Sequence, residues 1–242
     1  MTLTRELVYG RRPVREVIRA GCRQLVEVVV TDRALASETW LQELERPRPR
    51  VEREAKLNEI SHTRDHQGVV AWCEPYRYAD AYELAHEESP LLVCLDQVTD
   101  PHNLGAVARS ADGAGATAVV VPAHGSARVT PAVCRASAGA VEHLPVAVVP
   151  NLARYLADIK GDALWAYAAD AEGTLPLWNA DLTGGVALVL GAEGKGVRPL
   201  VRRTCDATVA IPLAGKVGSL NVSVAAAVLL FEARRQRTAR DA

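Results

Sequence analysis

The chain has 242 residues, 49% apolar and 24% charged, enough to bury one large core or two small ones and too apolar for a disordered polymer. Five scattered cysteines, odd in number and without a C-x-x-C pair, suggest neither a disulfide framework nor a zinc site; a reducing cytoplasm is expected and no metal. The net charge of −1 hides an uneven distribution, since residues 1–80 sum to +1, residues 81–194 to −8 and residues 195–242 to +6, with 24 Arg against 4 Lys.

The opening stretch, MTLTRELVYGRRP, has no apolar run of signal-peptide length. The longest apolar stretch, residues 222–231, is about half a membrane span, so no membrane partner is expected. Short units then alternate: the strand LVYG, a helix over residues 13–20, the β-branched run 26–31, two further elements, and GVVAWC at 68–73. Strand and helix alternating at this spacing predict a small α/β domain over residues 1–74. Within it Arg5, Arg11, Arg12, Arg15, Arg19 and Arg23 face only Glu6 and Glu16. Arginine forks suit RNA phosphates, which makes Arg11, Arg12 and Arg15 candidate RNA contacts; a solvated surface is the plainer reading of the same cluster. Residues 75–90 are polar, acidic and bounded by prolines, as a linker would be.

From Leu91 the pattern restarts as LLVCLDQ, a helix over residues 104–113, TAVVVP, another helix and PVAVV. Candidate strands follow at 163–168, 186–191 and 207–212, and a long helix at 219–237 ends the series. Short, continuously apolar runs are the pattern of parallel strands buried on both faces. A second α/β domain over residues 91–242 is expected.

In an open parallel sheet, ligands bind beyond the carboxyl ends of the strands. Three segments there mix glycine or proline with polar residues that a plain turn does not need: DQVTDPHNLGAVARSADGAGA, GAEGKGV and IPLAGKVGSLNVSVAAA. In the first, Asn103 stands at a predicted helix start, where capping alone explains it, and Arg109 is the one basic residue of a small, apolar helix. In the second, Lys195 lies between Gly194 and Gly196, which breaks the phosphate-loop spacing. The glycines at 113 and 115 precede a strand, so they form no dinucleotide fingerprint. What remains is close backbone approach to a ligand at Gly191 and a carboxylate, Glu193, on a glycine-rich loop. In the third, Ser219, Leu220 and Asn221 open the final helix, with Ser219 as the natural N-cap.

Residues 93–122, 186–213 and 216–235 resemble, in order and spacing, the three motifs of the SpoU-type RNA 2′-O-ribose methyltransferases. The first reads Asn103, Gly105, Arg109; the second VALVLGAEGKG, with Ala192 where asparagine is frequent; the third Ile211, Pro212 and SLNVSVA. The resemblance implies a trefoil-knotted α/β domain that holds S-adenosylmethionine through backbone at Gly191, Ile211 and Leu220. It implies catalytic roles for Arg109, Asn103, Glu193, Ser219 and Asn221, with Arg109 gripping phosphate and the others orienting it or the ribose. The first part, from Leu7 through YGRRPV to about Trp72, looks like the ribosomal-protein-like RNA-binding domain at the front of larger members. That domain favours rRNA, a guanosine in 23S rRNA above all, over tRNA. A tRNA enzyme, a resistance-type rRNA methylase and a non-catalytic RNA-binding relative are the alternatives. Family precedent and the broad apolar surface of the last helix imply a homodimer through the knotted domain.

Overall fold

The structure is a computed structural model that describes residues 5–161 and 163–240. Residues 1–4, part of the stretch read above for a signal sequence, and the extreme ends of the expected domains lie outside the described residues. By internal contacts the chain divides into two units, one made of residues 1–77 with 129–143, the other of 78–128 with 144–242.

The first unit runs β1 (Glu6–Tyr9), α1 (Arg11–Ala20), β2 (Leu25–Val30), α2 (Asp32–Ser37), α3 (Thr39–Gln42), β3 (Arg50–Val51), α4 (Glu54–Ser61) and β4 (Val69–Cys73). Its strands pair in the order β1-β4-β2-β3, with β4 antiparallel to both neighbours. Gly10, at φ 99°, turns the chain from β1 into α1, and Gly21, in the left-handed region at φ 64°, ends that helix. α1 begins two residues before the expected Pro13, because proline fits the first turn of a helix, where its missing N–H costs nothing. Val14 and Val17 bury one face of α1 in the same unit whose core includes Val28, Val29 and Val30 of β2.

The remaining elements are α5 (Ala81–Ala85), β5 (Leu91–Asp96), α6 (Pro101–Ala114), β6 (Ala118–Pro122), α7 (Pro131–Ala136), β7 (Val146–Val149) and α8 (Leu152–Ile159). β8 (Leu164–Ala169), β9 (Leu175–Pro176), β10 (Gly185–Gly191), α9 (Pro199–Thr204), β11 (Ala207–Ala210) and α10 (Val222–Arg240) follow. α7 and the 3-10 turn Ala140–Glu142 belong to the first unit. There Arg23 and Glu142, 4% and 5% exposed, form a buried ion pair, with Arg23 Nε donating to Glu142 Oε2 at 2.9 Å and Nη2 to Oε1 at 2.5 Å. Arg23 Nη1 also donates to Glu6 Oε2 at 3.3 Å, and Tyr76 Oη donates to the Val141 carbonyl at 2.9 Å.

In the second unit, seven strands among the described residues pair in parallel in the order β7-β6-β5-β10-β8-β11-β9. Every residue of β5 and β6 is buried, as helices on both faces require. The chain builds outward from β5 to β7, crosses to β8, then returns to insert β10 between β5 and β8. Residues 78–90, inside the expected linker, are built into this unit: Ala79 bridges to Ala147, and α5, capped by Asp80, buries Ala81 and Ala85. No helix among the described residues is long and apolar enough to cross a membrane.

Candidate active site

The order of strands reverses between β5 and β10, and at such a switch point the two neighbouring loops diverge and leave a crevice. Gly191, the last residue of β10, pairs in register with Asp96, the last residue of β5. Three loops converge at this end of the sheet.

The first leads from β5 into α6. Asp100 caps that helix by accepting from the His102 amide at 2.8 Å, with Pro101 in its first turn. The expected cap, Asn103, therefore lies inside the first turn, free to point elsewhere. Arg109 is exposed and makes no hydrogen bond or ion pair among the described residues. The helix is otherwise small, with Gly105, Ala108, Ala111 and Ala114 buried, and it packs on α10.

The second loop, residues 191–198, folds back on itself. Ala192 O accepts from Gly196 N at 2.8 Å, and Gly194 and Gly196 adopt φ of 74° and 65°. A Cβ on Gly191 would overlap the Gly196 carbonyl and the Val197 amide. The close approach expected at Gly191 is thus to the loop's own backbone.

The third loop leads from β11 to α10. Here the expected helix start is corrected: α10 begins at Val222, and the cap is Asn221, not Ser219. Asn221 Oδ1 accepts from the Ser223 amide at 2.8 Å and the Ser223 hydroxyl at 2.6 Å. Its Nδ2 donates to Asn103 Oδ1 at 3.0 Å and to Glu193 Oε1. One side chain from each of the three loops therefore meets at one amide.

Beside this junction lies a cleft of about 1360 Å³ whose lining includes Gly191, Glu193, Ile211, Ser219, Leu220 and Asn221. Ile211 falls just past β11 and Leu220 is 38% exposed, so both present apolar surface to the cleft. Arg109 and Asn103 stand outside the lining; Asn103 is joined to it through Asn221, and Arg109 is joined by no hydrogen bond. In the first unit, Arg11 is taken up internally, donating to Glu38 Oε1 at 3.0 Å and to the Gln67 carbonyl at 3.1 Å. Arg12 and Arg15, one helical turn apart, remain exposed. Reasoning from sequence missed Asp96, buried at the end of β5, and its partner Arg198. An aspartate closing an otherwise apolar strand was the available signal.

A parallel sheet carrying a glycine-walled cleft at the carboxyl ends of β8, β10 and β11, rimmed by amide, carboxylate and guanidinium groups, has its structural counterparts among RNA methyltransferases. The chain matches the SpoU methyltransferase AviRb from Streptomyces viridochromogenes, crystallised with the cofactor AdoMet, at TM-score 0.81 and 30% identity, over 96% of this chain and 90% of that one. A crystal structure described as an RNA 2'-O ribose methyltransferase matches at TM-score 0.83 and 32% identity, over 98% and 90%. The 23S rRNA (guanosine-2'-O-)-methyltransferase RlmB of Vibrio cholerae serotype O1 is 42% identical over 246 residues, 98% of this chain and 99% of its own length. The enzyme of that name from Pseudomonas syringae pv. tomato is 49% identical over 180 residues, 72% of each chain. The SpoU rRNA Methylase family model matches residues 90–231, and the model for RNA 2'-O ribose methyltransferase substrate binding matches residues 7–79. The chain belongs to the SpoU rRNA methylase family.

Proposed function

We propose that the chain transfers the methyl group of S-adenosylmethionine to a ribose 2′-hydroxyl of rRNA, at a guanosine of 23S rRNA. The observation that carries this reading is the junction of Asn103, Glu193 and Asn221 at the rim of the cleft. The target is supported by relatives of that name that align along the full chain. The first unit, residues 1–77 with 129–143, binds the RNA, and the second unit carries the transfer. The protein works in the cytoplasm, a compartment that suits its five free cysteines.

The cleft suits the cofactor: the backbone at Gly191, Ile211 and Leu220 would hold it, in an apolar slot with a few main-chain hydrogen-bonding groups. When bound, S-adenosylmethionine supplies a methyl group on a sulfonium centre. The chain's part is orientation, which accounts for much of the acceleration in such a displacement. Arg109, without a partner among the described residues, offers its donor fork to an RNA phosphate and stabilises the charge developing on the ribose oxygen. Its role is electrostatic, because a guanidinium keeps its proton in proteins. Glu193 has one carboxylate oxygen engaged by Asn221, which leaves the other to accept from the ribose. Ser219, exposed at the cleft, orients the same sugar.

Insertion of β10 and β11 between strands laid down earlier supports a trefoil knot in this domain. A homodimer forms through α6 and α10. Its support is the bare outer side of α10, where Val224 and Phe231 are 49% and 52% exposed.

Radiolabelled S-adenosylmethionine and rRNA lacking the modification test the reading. Label is expected in 23S rRNA, at a guanosine ribose, with none in tRNA. Arg109→Ala lowers the rate by on the order of 10²-fold while S-adenosylhomocysteine affinity stays within about twofold, and Arg109→Lys fails too, because one ammonium does not reproduce the fork. Cofactor binding without transfer to any rRNA would overturn the activity, and labelling of tRNA would overturn the target.

A further inference from the structure

Two residues outside the cleft meet at the base of the loop that forms one of its walls. Asp96 is 0% exposed. Its Oδ2 accepts from the Arg198 backbone amide at 2.8 Å, and its Oδ1 from Arg198 Nε at 2.8 Å and Nη2 at 2.7 Å. Charge-assisted bonds of this length to a carboxylate are strong and directional. The backbone bond matters most, because it fixes the main chain at residue 198 and not merely a side chain.

Asp96 is also the register partner of Gly191. The two ends of the 191–198 loop are therefore held at one point of the sheet, the start by the β5–β10 ladder and the end by the carboxylate. Between them the turn lies so close over Gly191 that no Cβ fits. A loop packed to that tolerance keeps its shape only while both ends are fixed. α9, which follows, has a second tie in Arg202 to Asp170 at 2.9 Å. Those side chains are 44% and 25% exposed, and exposed pairs in water are weak. The Arg198 side chain is itself 45% exposed, so what sets its tie apart is the wholly buried Asp96 carboxylate and the bond from that carboxylate to the Arg198 main chain.

We propose that Asp96 and Arg198 are positioning residues that clamp the 191–198 loop in its cofactor-binding shape and so set cofactor affinity without touching the cofactor. The inference rests on the reading of the cleft given above.

Calorimetric titration of the full chain with S-adenosylhomocysteine tests it, alongside steady-state kinetics on 23S rRNA. Asp96→Asn keeps the shape and one acceptor but loses the charge; Arg198→Ala removes the guanidinium, keeps the backbone amide and leaves the core intact. Each raises the dissociation constant on the order of tenfold, as expected for losing hydrogen bonds to a charged group. The double variant does no worse than either alone, since the two act as one unit. KM for S-adenosylmethionine rises in step and kcat falls with it, because Glu193 rides on the same loop, while KM for RNA stays unchanged. A residue with a purely structural role would lower the melting temperature without producing that split. Folded single variants that bind within twofold of wild type, or effects that add in the double variant, overturn the clamp. Wild-type protein that binds no S-adenosylhomocysteine overturns the reading of the cleft itself.

Discussion

Asn221 divides its amide between two tasks. The oxygen caps α10 through Ser223, and the nitrogen joins Asn103 to Glu193. Asn221→Asp keeps the capping oxygen and replaces the donor with an acceptor that faces the Glu193 carboxylate. Stability is expected to change by less than about 1 kcal/mol, the value of a typical cap, because the cap survives. Methylation is expected to fall on the order of 10²-fold, the usual loss when a preorganised polar group is removed. A thermal melt and a rate measurement on the same sample separate the two; equal losses in both would mean that the residue is only a cap. The sequence alone could not make this division. Ser219, Asn221, Asp100 and Asn103 are all good caps by type, and only the backbone decides which of them is used. Arg109 stood out as a candidate because it is the one basic residue of a small, largely apolar helix. Asp96 carried only the mark of an aspartate closing an apolar strand, and its pairing with Arg198, so far away in sequence, leaves no periodic trace.

The strands of the second unit were legible for a simple physical reason. A strand covered on both faces must be apolar throughout, and such runs stand out against polar loops. β3 and β9, two residues each, carry no period and were missed. The long final helix was legible in existence but not in its faces. Val222, Ala226, Leu229, Leu230 and Ala233 turn inward, and Val224 and Phe231, two turns apart, turn out. Gly113 of α6 lies beside Phe231: a Cβ there would come within 3.7 Å of Phe231 Cζ. Such a surface, small on one helix and apolar on the other, suits close packing against its own copy. Light scattering of the wild type is expected to give twice the 26.0 kDa chain mass, and Phe231→Glu the single mass, since an apolar contact tolerates a buried charge poorly. A wild-type mass that stays at 26.0 kDa as concentration rises would rule the dimer out.

At the scale of the molecule, the first unit is discontinuous. It takes residues 129–143 from the middle of the chain, and the chain passes between the two units three times. Composition could not reveal this, because the segment PAVCRASAGAVEH reads as an ordinary helix between two strands of the sheet. Its physical anchor is Glu142 on Arg23, and breaking such a buried pair costs about 3–5 kcal/mol. Small domains have only about 5 kcal/mol to lose. A fragment of residues 1–77 is therefore expected to be unfolded or molten by circular dichroism and amide exchange, and Glu142→Ala in the full chain to melt lower. A fragment with a sharp, native-like melt would show the insertion to be dispensable.

The same discontinuity orders events during translation. A nascent chain that has released its first 77 residues still lacks the partner for Arg23 and must wait until residue 143 emerges. At elongation rates of about 5–20 residues per second that delay is on the order of 3–13 s. For that interval β1 and α1 lack the segment that packs on them, which makes the half-synthesised protein, rather than the finished one, the form that most needs a chaperone.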